Sequence, residues 1–430
     1  MRLLSFFRNK EVKNAGWLIG GKVIQMLLSL VVGVLTARYL GPGNYGLVNY
    51  GMAYVSFCMS LCTLGINSVI IKEFVDHPEA QGTAIGSTLV LRGVSSLLSA
   101  LMIIGISGFL DRDEPLTVVI VALCSLSLLF HILDTFNYWF QAQYKSKITA
   151  IATLTAYLAT SFYKIALLAT EASVQWFAFA SSVDYIVLGI ILFASYKLSS
   201  GPKLAFSWDK GKYLLRNSYH YILSGMMVAI YGQTDKLMIK QMLGEIEVGY
   251  YSTATAICGM WVFVLQAIID SMYPTIVRLF NENKSWYEKK NRQLYAIVFY
   301  VSFFVSILVL IFGDLGIHIL YGEAYAPAGG PLKIVTWYTA FSYLGVARDV
   351  WIVCEGQQKY LKYMYCGAAI LNILLNFVFI PIMGASGAAL ASLITQIFTS
   401  IVLPFFFKGL RKNSILMLEA ITLKGIFYGK

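Results

Sequence analysis

Runs of about twenty apolar residues recur along the whole chain, separated by short polar breaks. A helix of that length crosses the hydrocarbon of a bilayer. Twelve membrane helices are predicted, at 17–38, 45–66, 84–109, 116–140, 148–170, 174–197, 217–243, 249–276, 293–321, 331–354, 362–382 and 385–407. The longest connections, 198–216 and 277–292, leave no room for a folded soluble domain.

Polar residues inside these runs return at steps of three and four, which puts each set on one helical face. The first helix carries Lys22, Gln25, Ser29 and Thr36, and the third carries Thr88, Arg92, Ser95 and Ser99. The fourth has Ser127, His131, Asp134 and Tyr138, and the fifth Thr153, Tyr157, Thr160 and Lys164. The seventh has Tyr221, Ser224, Tyr231 and Asp235, the eighth Gln266, Asp270 and Tyr273, and the eleventh Asn372 and Asn376. Hydroxyls alone are accounted for by bonds to the helix backbone or between helices. Lys, Arg and Asp need water, a partner or a ligand. A polar cavity in the N-terminal half and a set of structural pairs both remain open as accounts of these charges.

Depth sorts the charged positions. Arg92 sits about 12 Å from the cytoplasmic end of its helix, and Asp184 about 15 Å from the outer end of the sixth, near mid-membrane. Lys22 and Asp134 both sit about 9 Å from the cytoplasmic end, where they are matched to pair with each other. Lys164 is about 9 Å from the outer end, within reach of headgroups. Arg348 with Asp349, Lys236 and Lys333 read as anchors near helix ends. His131 and Asp134 share a helical face, but a metal site needs another ligand and no further histidine stands in a comparable motif.

Composition agrees with a lipid solvent. Of the 430 residues 58% are hydrophobic and 13% charged, with a mean hydropathy of +0.68, against about 25% charged in a soluble domain. A soluble enzyme is excluded. The net charge of +11 is topological rather than a sign of nucleic acid. With the N-terminus in the cytoplasm, 24 of the 33 Lys and Arg fall on the cytoplasmic side, 3 outside and 6 within helices. That bias predicts both ends inside. The six cysteines form no CxxC pair, so neither a disulfide framework nor a zinc site is expected. The basic start, MRLLSFFRNKEVKNAG, lacks the apolar core and cleavage site of a signal peptide.

The second half echoes the first. Arg38-Tyr-Leu-Gly-Pro-Gly-Asn-Tyr-Gly46 follows the first helix and Gln241-Met-Leu-Gly-Glu-Ile-Glu-Val-Gly249 the seventh. Gln143-Tyr-Lys145 and Gln357-Gln-Lys359 precede the fifth and eleventh. An all-α polytopic membrane protein is expected, with twelve helices in two pseudo-symmetric six-helix bundles around a central cavity. The expected division is an N-terminal bundle over 1–200, a cytoplasmic linker over 201–213, a C-terminal bundle over 214–408, and a cytoplasmic tail over 409–430 that could lie on the leaflet as an interfacial helix.

The segment LTARYLGPGNYGLVNYGMAYVSFCMSLCTLGINSVIIKEF (35–74) resembles the opening of bacterial polysaccharide flippases of the Wzx type. These O-antigen and polysaccharide transporters belong to the multidrug/oligosaccharidyl-lipid/polysaccharide exporter superfamily. YWFQAQYKSKITAIA (138–152) and TDKLMIKQMLGEIEVGYYSTA (234–254) are similar to two further family segments. The resemblance implies a flippase that moves an undecaprenyl-pyrophosphate-linked oligosaccharide repeat unit from the inner to the outer leaflet of the bacterial inner membrane by alternating access. Arg92, Lys22 and Lys164 are then expected to bind its pyrophosphate, beside a polar lining of Gln25, Ser29, Thr88, Ser95, Tyr157, Thr160 and Tyr231. Asp184, Asp235 and Asp270 are candidates to couple a proton or sodium gradient, with Asp184, the deepest, first. No cofactor or metal is expected. The expected partners are the lipid-linked glycan and the bilayer, with a polysaccharide polymerase and chain-length regulator alongside.

A multidrug exporter of the same superfamily would carry acids and aromatics but few buried cations. A membrane-bound polymerase or ligase would present a long external loop, and no HExxH, GxSxG or P-loop pattern occurs. A twelve-helix sugar facilitator would carry a Gly-x-x-x-Asp-Arg loop after its second helix, where this chain reads NSVIIKEFVDHPEAQG.

Overall fold

The computed structural model describes residues 10–424, with side chains from Gln25 onward apart from Leu27, Ser68 and Ser224. The described residues form helices and turns, with no strand among them. Helix α1, Lys10–Thr63, covers the first predicted span and the second up to Thr63, and is bent at Gly41, whose backbone is extended with positive φ (φ 67°, ψ 170°). There follow α2 (Asn67–Asp76), α3 (Gln81–Leu110), α4 (Pro115–Phe130), α5 (Thr135–Ala142), α6 (Ser146–Ala169) and α7 (Val174–Leu198). The second half holds α8 (Trp208–Leu243), α9 (Glu245–Gly259), α10 (Val262–Glu282), α11 (Lys284–Tyr321), α12 (Gly329–Cys354), α13 (Leu361–Met383) and α14 (Ala385–Ile397). A π turn at Phe398–Val402 and a 3₁₀ turn at Leu403–Phe406 continue α14, and α15 spans Arg411–Ile421.

Eight helical stretches among the described residues are long and apolar enough to cross a membrane. They are Pro78–Leu110, Pro115–Ala142, Ser146–Ala169, Val174–Leu198, Val262–Glu282, Lys284–Tyr321, Gln358–Met383 and Ala385–Phe406. Large apolar side chains such as Leu98, Phe109, Phe162, Ile311, Phe377 and Ile382 stay exposed on them. Lipid is the solvent that accepts such faces, because each helix satisfies its own backbone. The chain is a multi-pass membrane protein.

Two predicted helices are broken. The stretch 116–140 passes through a 3₁₀ turn at His131–Asp134 between α4 and α5. The stretch 249–276 is interrupted at Met260 and Trp261, between α9 and α10. Neither break carries a proline, and the apolar pattern runs on through both.

The chain divides into two compact units. The first contains the residues up to Leu40 and Leu47–Ala229, and the second contains Gly41–Gly46 and the residues from Ile230. The division falls inside α8, and the loop 41–46 belongs to the second unit.

In the first unit Ile66, Phe74, Ile85, Phe136, Phe140 and Leu192 form a buried core with Trp139 and Tyr196. The segment before α8 is laced to the start of α3. Ser87 Oγ donates to the Ser207 carbonyl and accepts from its amide, both at 3.0 Å, and the Ala205 amide donates to the Gly82 carbonyl at 3.3 Å. The buried Glu73 carboxylate holds Lys210 in an ion pair.

In the second unit the core includes Ile276, Tyr287, Tyr295, Leu344 and Trp351, and α15 docks on it through Leu416, Met417 and Ala420. Asn413 Nδ2 donates to the Tyr295 hydroxyl at 2.6 Å, and Arg292 pairs with Glu419 at 2.8 Å. The tail helix is packed against this core over half its surface, with Ile415 and Leu418 exposed on the other.

Candidate functional site

Arg92 is 1% exposed on α3. A guanidinium that deep needs acceptors, and neighbouring elements supply neutral ones. Nη1 donates to Thr135 Oγ1 at 2.8 Å, and Nη2 donates to Asn67 Oδ1. The Tyr138 ring lies 5.6 Å from the guanidinium carbon, within cation–π range. Nε is buried with no partner among the described residues. Thr135 faces Arg92 because the 3₁₀ turn 131–134 resets the helix phase just before it. Ser95, one turn on from Arg92, donates to the Leu61 carbonyl at 2.5 Å. Thr88, one turn earlier, is buried with its hydroxyl unpartnered among the described residues.

His131 stacks edge-on against Tyr185, with ring centroids 4.8 Å apart, and Asn137 Nδ2 donates to Asp134 Oδ1 at 3.1 Å. Asp184 precedes Tyr185 on α7. Its Oδ1 accepts from Thr160 Oγ1 at 3.3 Å, and Lys164, one turn beyond Thr160 on α6, lies in its electrostatic reach. Tyr157 hydrogen-bonds Ser29 of α1. In the first unit, then, the stripe of α1 meets that of α6 through Ser29 and Tyr157, and Arg92 of α3 meets Tyr138 of the fourth predicted helix. Gln25 is half-buried on α1. The side chain of Lys22 lies outside the described residues.

The second unit gathers a different cluster. Asp235 on α8 is 3% exposed. Its Oδ2 accepts from the hydroxyls of Tyr251 and Ser392, each at 2.5 Å, and its Oδ1 accepts from Asn376 Nδ2 at 2.7 Å. Asn376 Nδ2 also donates to Asn372 Oδ1 at 3.1 Å. Asn372 Nδ2 donates to Ser392 Oγ at 3.1 Å. The carboxylate thus ties α8, α9, α13 and α14 together with neutral donors. Tyr231, one turn earlier, donates to Gln396 Oε1. Asp270 stands apart: it is exposed on α10 and accepts from Gln266 of its own helix at 2.9 Å.

Asn372 and Asn376 were legible as a stripe. Tyr251, Ser392, Asn67 and Thr135 were not. Tyr251 and Ser392 sit in runs too rich in small and polar residues for one face to stand out. Asn67 lies just past a predicted helix end. Thr135 follows His131 by four residues, the one signal that could have found it. Among the described residues no group of three or more His, Cys, Asp or Glu is placed to hold a metal ion.

The described residues form helices with apolar outer faces and charges held inside each unit. The fold is one that solved structures share. It is similar to the lipid II flippase MurJ in an inward closed conformation, with a TM-score of 0.70 at 14% identity over 94% of this chain and 90% of that one. It is also similar to an inward-facing multidrug resistance transporter of the MATE family, with a TM-score of 0.69 at 16% identity over 91% and 95%. The chain belongs to the polysaccharide biosynthesis protein family, whose pattern matches residues 12–280. It is similar to the capsular polysaccharide biosynthesis protein CapF of Staphylococcus aureus, at 20% identity over 92% of this chain and 99% of that one. The Haloferax volcanii protein named as the flippase AglR is 22% identical over 89% and 80%. The Shigella flexneri protein named as an O-antigen transporter is 21% identical over 92% and 97%. The relatives and neighbours that are named for a role are named as flippases and transporters, not as enzymes.

Proposed function

We propose that the chain is a flippase carrying an undecaprenyl-pyrophosphate-linked oligosaccharide repeat unit from the inner to the outer leaflet of the bacterial inner membrane by alternating access. The reading takes all twelve predicted helices as crossings, in six-helix halves over 1–200 and 214–408, with both ends cytoplasmic. A polymerase and a chain-length regulator would take over the product.

The observation that carries it is the company Arg92 keeps. Its hydrogen-bond partners among the described residues are neutral, so its charge is solvated but not cancelled by a direct ion pair. A diphosphate offers charged acceptors in a geometry that guanidinium matches, roughly twice as strong per bond as neutral ones. Arg92 is covered in this state, so loading requires Asn67 and Thr135 to yield the guanidinium to the phosphate. Lys164 and Lys22 are proposed to join Arg92 in binding the pyrophosphate. Gln25, Ser29, Thr88, Ser95, Tyr157, Thr160 and Tyr231 offer hydroxyls and amides to the sugar.

Energy is proposed to come from a proton or sodium gradient. Among the three acids Asp235 is favoured over Asp184 by its surroundings. Its oxygens and those of Asn372, Asn376 and Ser392 are a set that a hard cation accepts, and a proton can take the place of such a cation. Asp184 and Asp235 each have a lysine in electrostatic reach, Lys164 and Lys236, so the neutral oxygen set around Asp235 makes the difference, and Asp270 faces outward.

The test is complementation of a flippase-null strain. The wild-type chain is expected to restore surface polysaccharide, and Arg92→Ala to abolish it while the protein still reaches the membrane. Normal polysaccharide with Arg92→Ala removes Arg92 from the site. Drug resistance without polysaccharide would instead make the chain a drug exporter of the same fold.

A further inference from the structure

Between α7 and α8 the chain crosses the start of α3 as an extended strap. Lys203, Ala205 and Ser207 each turn backbone groups toward that helix. A Cβ on Gly82 would collide with the Lys203 carbonyl oxygen, and one on Gly86 with that of Ala205. The Ala205 amide donates to the Gly82 carbonyl, and Ser207 exchanges two bonds with Ser87. Contact at every second residue is the habit of an extended strand, whose side chains alternate between two faces. Gly82 and Gly86, one turn apart on α3, make the notch that lets the strap in this close.

What the strap displays is apolar. Leu204 and Phe206, two apart, share one face. Phe206 is 52% exposed and Trp208, at the start of α8, 58%. Their rings lie 6.4 Å apart, so they form one patch. Lys212 and Arg216 follow Trp208 at steps of four in a single exposed helical row, and Lys203 is exposed at the other end of the patch. From 197 to 216 the chain carries five Lys and Arg against one acid, Asp209. One of the five, Lys210, is paired with Glu73.

The level of the strap is also defined. It follows one membrane-length stretch, Val174–Leu198, and is tied to the first turns of another, Pro78–Leu110. Such helices end where hydrocarbon gives way to headgroups, the depth that aromatic rings and long basic side chains favour.

We propose that this patch is a seat for an anionic phospholipid. Leu204, Phe206 and Trp208 lie against the upper acyl chains, and Lys203, Lys212 and Arg216 hold the headgroup phosphate. An exposed apolar patch edged by polar groups marks an interaction surface, and its excess of positive charge selects an anionic partner over a neutral one. The proposal rests on the chain being a membrane protein and on no view of its cargo.

The test uses the full chain in lipid nanodiscs, with Cys354 and Cys366, the two cysteines that are not buried, replaced by serine. Phe206→Cys carries an NBD fluorophore, which reports on this patch alone. Nitroxide-labelled phosphatidylglycerol is expected to quench it at a mole fraction at least tenfold lower than nitroxide-labelled phosphatidylcholine does. Each basic residue at an anionic surface multiplies affinity about fivefold. Lys203→Gln, Lys212→Gln and Arg216→Gln together are therefore expected to erase the preference and leave quenching by phosphatidylcholine in place. Equal quenching by the two lipids before those substitutions overturns the anionic seat, and so does a preference that survives them. Quenching by aqueous iodide but by neither lipid overturns the membrane contact itself. These readouts involve no polysaccharide export, so they decide the seat even if the flippase reading fails.

Discussion

Replacing Asp235 by Asn removes one charge while keeping the shape of the side chain, which isolates the proposed coupling from the packing. Three donors converge on the carboxylate: Tyr251 and Ser392 at 2.5 Å and Asn376 at 2.7 Å. Hydrogen bonds to a charged group contribute about 1.5–3 kcal/mol and neutral ones about 0.5–1.5, so the three together lose about 3 kcal/mol. Opposing this, a buried charge is no longer taken out of water, a penalty of several kcal/mol. The amide can accept from Asn376 through its oxygen, and the two hydroxyls can rotate to receive its NH₂. The terms nearly cancel, so Asp235→Asn is expected to fold and insert at wild-type levels. Asp235→Ala differs, because it leaves three buried donors without an acceptor at about 1–3 kcal/mol each, and its expression should fall sharply. In proteoliposomes with an imposed sodium or pH gradient, Asp235→Asn is expected to lose gradient-driven transport at least tenfold while retaining slow equilibration. Transport by Asp235→Asn that keeps its full gradient dependence would refute the reasoning, and so would a collapse in expression as severe as that of Asp235→Ala.

Thr135→Val removes the acceptor for Arg92 Nη1 without changing volume. It should cost about 1–3 kcal/mol for the stranded donor, and polysaccharide export should fall but survive, against near-abolition with Arg92→Ala. Glu73→Gln leaves Lys210 short of its carboxylate. Because Lys210 keeps 22% exposure, the cost should be about 1–3 kcal/mol rather than the 3–5 of a fully buried pair, read as faster protease cleavage in 201–207 from the cytoplasmic side. Gly86→Val should loosen the same segment, since a Cβ there collides with the Ala205 carbonyl; unchanged cleavage would show that this contact does not hold the segment.

Much of this was legible from residue order. Hydropathy marked the helices because a chain in lipid must close its hydrogen bonds within each helix and turn apolar atoms outward. The echoed Leu-Gly pairs share a local backbone: both leading glycines occupy the same rare region. The interruptions at His131 and Met260 were hidden, because an apolar pattern reports burial and not the phase of the helix that carries it.

The sequence by itself determined that this chain lives in a membrane and which residue types are buried at a cost. Those properties are sums over local composition, and they survive without knowledge of neighbours. Only the tertiary structure decided the company each charge keeps. Ser392 meets Asp235 across 157 positions of chain, Thr135 meets Arg92 across 43, and Asp270, like Asp235 an acid on a polar stripe, is turned outward. In a medium that cannot screen charge, the few ångströms to a partner fix what an acid or a base can do, and that distance is a property of packed helices.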